Sequence, residues 1–131
     1  ANRKKVAFSA FIVKDHDIPA SANQIVPFNS VLVNTGEAYN NFTSVFTAPY
    51  DGDYFFIVSA DVSPDYAKVN LVRNNVPVIK ADKDDQVSTH VTGCGIINLT
   101  AGDVVAVTHG ANKGYVDDGR DSTFTGFLIA E

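Results

Sequence analysis

The chain of 131 residues contains one cysteine, two glutamates, and no methionine or tryptophan. Each shortage excludes something. A lone Cys94 cannot close an internal disulfide, and thiolate zinc sites need two or more cysteines. Set in Thr92-Gly93-Cys94-Gly95-Ile96-Ile97 beside a β run, it reads as a small buried hydrophobe. Leucine occurs 4 times, so straight-chain helix formers are scarce. Apolar runs reach only about five residues, as in Tyr54 to Val58, whereas a membrane-spanning helix needs about twenty. Lys and Arg total 10 against 15 Asp and Glu, and the net charge of −5 argues against nucleic acid as a partner. The one basic cluster, Arg3-Lys4-Lys5, reads as a solvated tail. No Gly-x-Ser-x-Gly elbow and no phosphate-cradling glycine loop occur, and Glu37 and Glu131 read as a turn residue and a tail. Catalysis is therefore not expected. The chain opens on Ala1 without an initiator Met and reads as a processed or recombinant fragment, so an absent signal peptide says nothing about compartment.

What is abundant points one way. There are 18 Val, 8 Ile, 9 Thr and 14 aromatics, interspersed with 13 Asp, 11 Asn, 9 Gly and 5 Pro. β-Branched and aromatic residues favour strands, and the others favour turns. The length suits a single domain spanning 1–131, with no linker or repeat. Strands are expected over 6–13, 25–33, 42–47, 53–62, 67–73, 76–80, 87–99, 104–109 and 122–130, with loops at 19–23 and 110–121. The 53–62 run is apolar enough to suggest burial on both faces. Asn74-Asn75 suits a primed hairpin turn, and Pro77 marks the return strand as an edge or a bulge. Nine or ten short strands at this density predict an all-β sandwich, jelly roll or small barrel.

Candidate binding residues lie mainly in loops. Asp82, Asp84 and Asp85 share Ala81 to Gln86, where carboxylates and carbonyls could hold a hard cation such as calcium, or form a solvated loop. Asp117, Asp118 and Asp121 read as a turn. His16, in Asp15-His16-Asp17, reads as a polar loop or a surface metal ligand, and His90 and His109 read as structural strand histidines. Asn41-Phe42-Thr43 and Asn98-Leu99-Thr100 are N-glycosylation sequons, making Asn41 and Asn98 acceptor candidates.

Several blocks resemble the globular C1q domain family. They are Ala7-Phe8-Ser9-Ala10, then Ile25 to Val31 with Asn34-Thr35-Gly36 and Tyr39-Asn40. Next come Phe46-Thr47-Ala48-Pro49 with Gly52-Asp53-Tyr54-Phe55-Phe56, then Leu99, Gly102-Asp103 and Val105, and the closing Ser122 to Leu128. They run in family order over almost the whole chain. The resemblance implies a ten-stranded C1q/TNF-like jelly-roll sandwich with Phe8, Phe28, Phe46, Tyr54, Phe56, Phe124 and Phe127 between the sheets. It implies a secreted, extracellular homotrimer that is not an enzyme. Such a module would bind glycans, microbial surface ligands or a protein receptor, as innate pattern recognition, extracellular signalling or matrix proteins do; the 13 Asp and 3 His leave a metal-binding extracellular protein as a further alternative. Several relatives hold calcium near the trimer apex, on the loop that is here Ala81 to Gln86. Asp82 matches an acidic ligand there, Asp84 and Asp85 lie near the other acidic positions, and Thr89 falls where some members place a Gln ligand. The collagen-like Gly-X-Y stalk of many members is absent from these residues.

Overall fold

The computed structural model describes residues 4–13, 18–66, 68–117 and 119–130. The described residues form twelve strands and no helix. They are β1 (Ala7–Ile12), β2 (Ile18–Pro19), β3 (Ser30–Thr35), β4 (Tyr39–Asn40), β5 (Val45–Thr47), β6 (Gly52–Asp61), β7 (Lys68–Arg73), β8 (Val76–Asp82), β9 (His90–Leu99), β10 (Val104–His109), β11 (Tyr115–Val116) and β12 (Gly119–Ala130). Ten of them build two five-stranded antiparallel sheets, ordered β3-β1-β12-β6-β9 and β4-β5-β10-β7-β8. The result is the jelly-roll sandwich the sequence predicts. The extra pair, β2 with β11, lies partly inside segments read as loops, because two-residue strands carry no periodicity.

The core is a stack of rings between the sheets. Phe8 stacks on Tyr39 with centroids 4.6 Å apart, and meets Phe124 edge-on at 4.9 Å. Phe46 packs edge-on against Tyr54 and Phe56 at 5.5 and 5.3 Å. Such ring pairs add about 0.5–1.5 kcal/mol each beyond the area they bury. The buried hydroxyl of Tyr39 donates to the Phe28 carbonyl at 2.6 Å, so the polar atom carried into the core is satisfied.

Strand parity overturns three sequence-based expectations. On β6, Tyr54, Phe56, Val58 and Ala60 are buried, but the alternate residues Phe55 and Ile57 remain partly exposed, so the strand is not buried on both faces. Phe127 does not enter the core. Phe124, Gly126 and Leu128 share the inner side of β12, and the period of two puts Phe127 outside, 42% exposed and 5.5 Å from the Phe55 ring. Cys94 is exposed rather than buried, because Val91, Gly93 and Ile97 take the inner positions of β9.

The turns agree with their sequences. Asn74 and Asn75 adopt φ of 50° and 68°, as a primed hairpin requires. Pro77 lies on β8, the outermost strand of its sheet, and the β7–β8 register shifts beside it between Leu71 and Val72. Gly126 sits within β12, where the rings of Phe56 and Phe8 approach too closely for a Cβ.

His109 is a structural histidine, 2% exposed, and the Tyr66 hydroxyl lies 2.8 Å from its Nδ1. Desolvation lowers its pKa to about 4 and raises that of Tyr66 well above its ordinary value. The ring is thus neutral, and it shares one hydrogen bond with the Tyr66 hydroxyl. In the unfolded chain the imidazole takes up a proton near its ordinary pKa of 6.5, whereas in the fold it resists until about 4. Below about pH 6.5 the unfolded state therefore binds more protons, and stability falls towards pH 4 by up to ~1.4 kcal/mol per pH unit. Urea melts between pH 4 and 7 check this, and His109→Gln should flatten the slope across that window.

Candidate functional site

The first sheet packs one face on the core and turns the other outward. Its register places Thr35, Ala7, Phe127, Phe55 and Ile96 in one rung across β3, β1, β12, β6 and β9. The next rung reads Val33, Ser9, Thr125, Ile57 and Cys94. Ile96 is 64% exposed, and Val33 and Phe127 are exposed as well. Scattered apolar surface residues need no explanation, but a contiguous patch on one face does.

The face becomes polar towards one end. Thr123, Ser59 and Thr92 follow, then Asp61 opposite His90. His90 Nδ1 lies 2.6 Å from Asp61 Oδ1, and its Nε2 lies 2.7 Å from Ser59 Oγ. Asp61 can only accept, so Nδ1 carries the proton, and Nε2 of the neutral ring accepts from the Ser59 hydroxyl. This connectivity matches a Ser-His-Asp relay. Ser59, however, lies mid-strand on β6 between β12 and β9, where backbone N–H groups serve the ladders rather than a developing oxyanion. What the arrangement achieves is a fixed imidazole on a sheet face. The sequence reading of His90 as a satisfied strand histidine holds for its bonding, but the ring is exposed. Parity was the available signal, since Ser59 and Asp61 are two apart and share a face.

At this polar end, residues 83–89 link β8 to β9. Asp85 Oδ1 accepts from the Val87 and Ser88 backbone N–H groups at 3.0 and 2.6 Å, and Oδ2 accepts from the Ser88 hydroxyl at 2.7 Å. These bonds lower its pKa to about 2. Lys83 Nζ donates to the carbonyls of Asp85 and Pro64, tying the loop down. Asp82, at the end of β8, and Asp84 are exposed. Thr89 is exposed too, while its carbonyl accepts from Val62 N–H at 2.9 Å. Among the described residues no three His, Cys, Asp or Glu side chains converge as a metal site. The four residues Asp82, Asp84, Asp85 and Thr89 thus share one loop region, with Asp85 engaged by the loop itself.

The other candidates lie apart. Asn41 is exposed in the turn before β5, its amide reaching the Asn29 carbonyl at 3.4 Å. Asn98 sits on the exposed side of β9 and donates to Asp53 at 2.8 Å. Lys4, expected in a solvated tail, lies over the Tyr50 ring at 4.7 Å. His16 and Asp118 fall outside the described residues. No helix among the described residues is long and apolar enough to cross a membrane.

Comparison with known proteins places this geometry in context. The family model for the C1q domain matches residues 7–129. "Complement C1q and tumor necrosis factor-related protein 9" of Mus musculus is 36% identical over 110 residues, covering 79% of this chain and 33% of that protein. "Heavy metal-binding protein HIP" of Mytilus edulis is 33% identical over 132 residues, covering 95% of this chain and 60% of that protein. The chain therefore spans between about a third and three-fifths of these relatives' length. Among solved structures, the globular domain of zebrafish complement 1qA superposes with a TM-score of 0.77 at 25% identity, covering 95% of this chain and 97% of that one. From the ring-filled sandwich to the order of its strand motifs, the chain belongs to the C1q domain family.

Proposed function

We propose that this domain is a secreted, homotrimeric recognition module that binds microbial surface or glycan ligands without catalysis, using three copies of a weak site for avidity. C1q/TNF-like domains are non-enzymatic recognition or signalling modules. The observation that carries the reading is the outward face of the first sheet. An apolar patch of Phe55, Phe127, Ile96, Ile57, Val33 and Cys94 is poorly suited to water and well suited to a copy of itself.

Calcium joins this reading through the 83–89 loop. A calcium ion takes six to eight oxygens, and one chain offers the carboxylates of Asp82 and Asp84, with Asp85 held by Ser88 and Val87. In this proposal the site is shared between copies at the polar end of the face, since among the described residues one chain alone brings no three acidic side chains together. Thr89 would contribute its hydroxyl, and a bound ion would neutralise the acidic loops where the copies meet.

Solution mass by light scattering tests the assembly. A mass about three times 14.0 kDa is expected in calcium, with loosening or dissociation in chelator. A monomer in both buffers would overturn the trimer and the shared site together. Binding to a glycan and microbial array, with and without calcium, tests the ligand class. A single stoichiometric protein partner, with silence on the arrays, would favour a signalling or matrix module instead.

A second reading, metal binding, is favoured by the exposed His90 held against Asp61, an arrangement that orients an imidazole as metal ligands are oriented, with Nε2 available once the Ser59 hydroxyl turns away from it. The mussel relative is itself described as a heavy metal-binding protein. This reading predicts several ions per chain, and equilibrium dialysis against zinc or copper distinguishes it from one shared calcium site.

A further inference from the structure

The outward face of the second sheet contains a cleft of about 260 Å³ lined by Asn23, Val72, Asn75, Pro77 and Thr108. Its floor is built by β7 and β10, whose register sets Asn70 directly across from Thr108. Asn70 also precedes Val72 by two residues, so it shares their side of the sheet. All three would ordinarily be solvated on that side, yet Asn70, Val72 and Thr108 are buried, and the chain at 23–26 bonds along β10 beside them. Asn23 N–H donates to the His109 carbonyl and Val26 N–H to the Val107 carbonyl.

The polar groups here are unusual in lacking partners. Asn70 is only 7% exposed, and its buried Oδ1 accepts no hydrogen bond. A buried acceptor left alone costs about 1–3 kcal/mol, so a Val or Thr would be the more stable choice at this position. The side chains of Asn29, Asn34, Asn40, Asn41, Asn74, Asn98 and Asn112 all engage in intramolecular hydrogen bonds. Of the asparagines among the described residues, Asn23, Asn70 and Asn75 are those without such a bond; Asn23 and Asn75 line this cleft with Thr108, and Asn70 is the register partner of Thr108.

We infer that this cleft is a binding subsite for one uncharged sugar ring. Carboxamides offer a donor and an acceptor side by side, which suits vicinal hydroxyls, and Val72 with Pro77 gives an apolar wall for the C–H face of a pyranose. No charged side chain lines it, so neutral hexoses are taken in preference to sialic or uronic acids. At about 260 Å³ it is smaller than the ~300–1,000 Å³ of larger ligand pockets, which fits a single terminal residue of a glycan. The inference rests on the glycan reading above and names where on the domain the sugar is held.

The test is a titration of isotope-labelled protein with methyl glycosides of glucose, galactose and mannose, and with N-acetylglucosamine, followed by NMR. Shifts are expected at the side-chain amides of Asn23, Asn70 and Asn75 and at Val72 and Thr108. Asn23 and Asn75 both have a φ of 68°, so Asn23→Gly and Asn75→Gly remove the carboxamide without backbone strain. Each should weaken binding roughly tenfold, the equivalent of one lost hydrogen bond. Thr108→Val is a third, nearly isosteric variant. Sugar-induced shifts confined to another surface, or binding unchanged in all three variants, would overturn the subsite while leaving glycan recognition standing. No shift with any sugar would overturn the subsite as well, and silence of the glycan arrays would then remove the broader reading separately.

Discussion

Phe127→Asp is expected to yield a folded monomer of 14.0 kDa in place of the trimer proposed for the parent chain. Phe127 lies outside the ring-filled core, 42% exposed, between Ala7 and Phe55 in the apolar rung of the first sheet. Loss of its ring therefore leaves Phe8, Phe46, Phe56 and Phe124 in place. In an assembly that covers this face, three carboxylates would be taken out of water without partners, each costing several kcal/mol. Association at micromolar concentration cannot absorb that cost. Light scattering gives the mass, and a thermal melt followed by circular dichroism shows that the fold persists. A Phe127→Asp trimer would mean that a different surface holds the copies together.

Gly126→Ala acts on the opposite side of the same strand, and there the cost falls on the stability of the fold. A Cβ at Gly126 would come 2.6 and 2.7 Å from ring atoms of Phe56 and 2.8 Å from the Phe8 ring, closer than carbon atoms tolerate. Both rings are buried in the stacked core, so neither can swing into solvent. Overpacking of this kind costs about 1–3 kcal/mol, and the crowding from two sides puts Ala near the upper end, with Val worse. The melting temperature should drop by roughly 10 °C. Gly102→Ala is the informative control. Nothing lies within 4 Å of its Cβ position, but φ is +96°, so the cost there is conformational. A drop for Gly102→Ala as large as that for Gly126→Ala would contradict the steric account.

The architecture was legible because nearly every local signal agreed. β-Branched runs gave the strands, Asn74-Asn75 the hairpin and Pro77 the sheet edge. The errors share one origin. Phe124 and Phe127 are three apart on one strand, so a period of two forbids both from facing the core, and composition cannot choose between them. Gly126 decides the matter by holding the inner position. Cys94 follows the same arithmetic against Gly93. The acidic loop was identified as a group, but the self-bonding of Asp85 depends on the path of residues 85–88, which no spacing encodes. The cleft at Asn70 was least accessible. An Asn between Val69 and Leu71 reads as an ordinary solvent-facing strand position. Its burial comes from tertiary packing on that face of the sheet, which the alternation along β7 does not encode.

The order of strands in the first sheet also governs when this protein can fold. β12 is the third of five, held between β1 and β6, so the earliest and latest segments of the domain meet at the centre of one sheet. On the ribosome, residues up to β10 can emerge with β1 and β6 both missing their shared neighbour. Two unpaired strand edges and half of the aromatic stack then wait in water for Phe124 and Gly126. Contacts this distant along the chain make folding slow and leave it open to aggregation meanwhile. Production of the domain should therefore depend on chaperone capacity more than its size suggests. A premature stop a dozen codons before Glu131 would remove a central strand of the sheet rather than trim a tail.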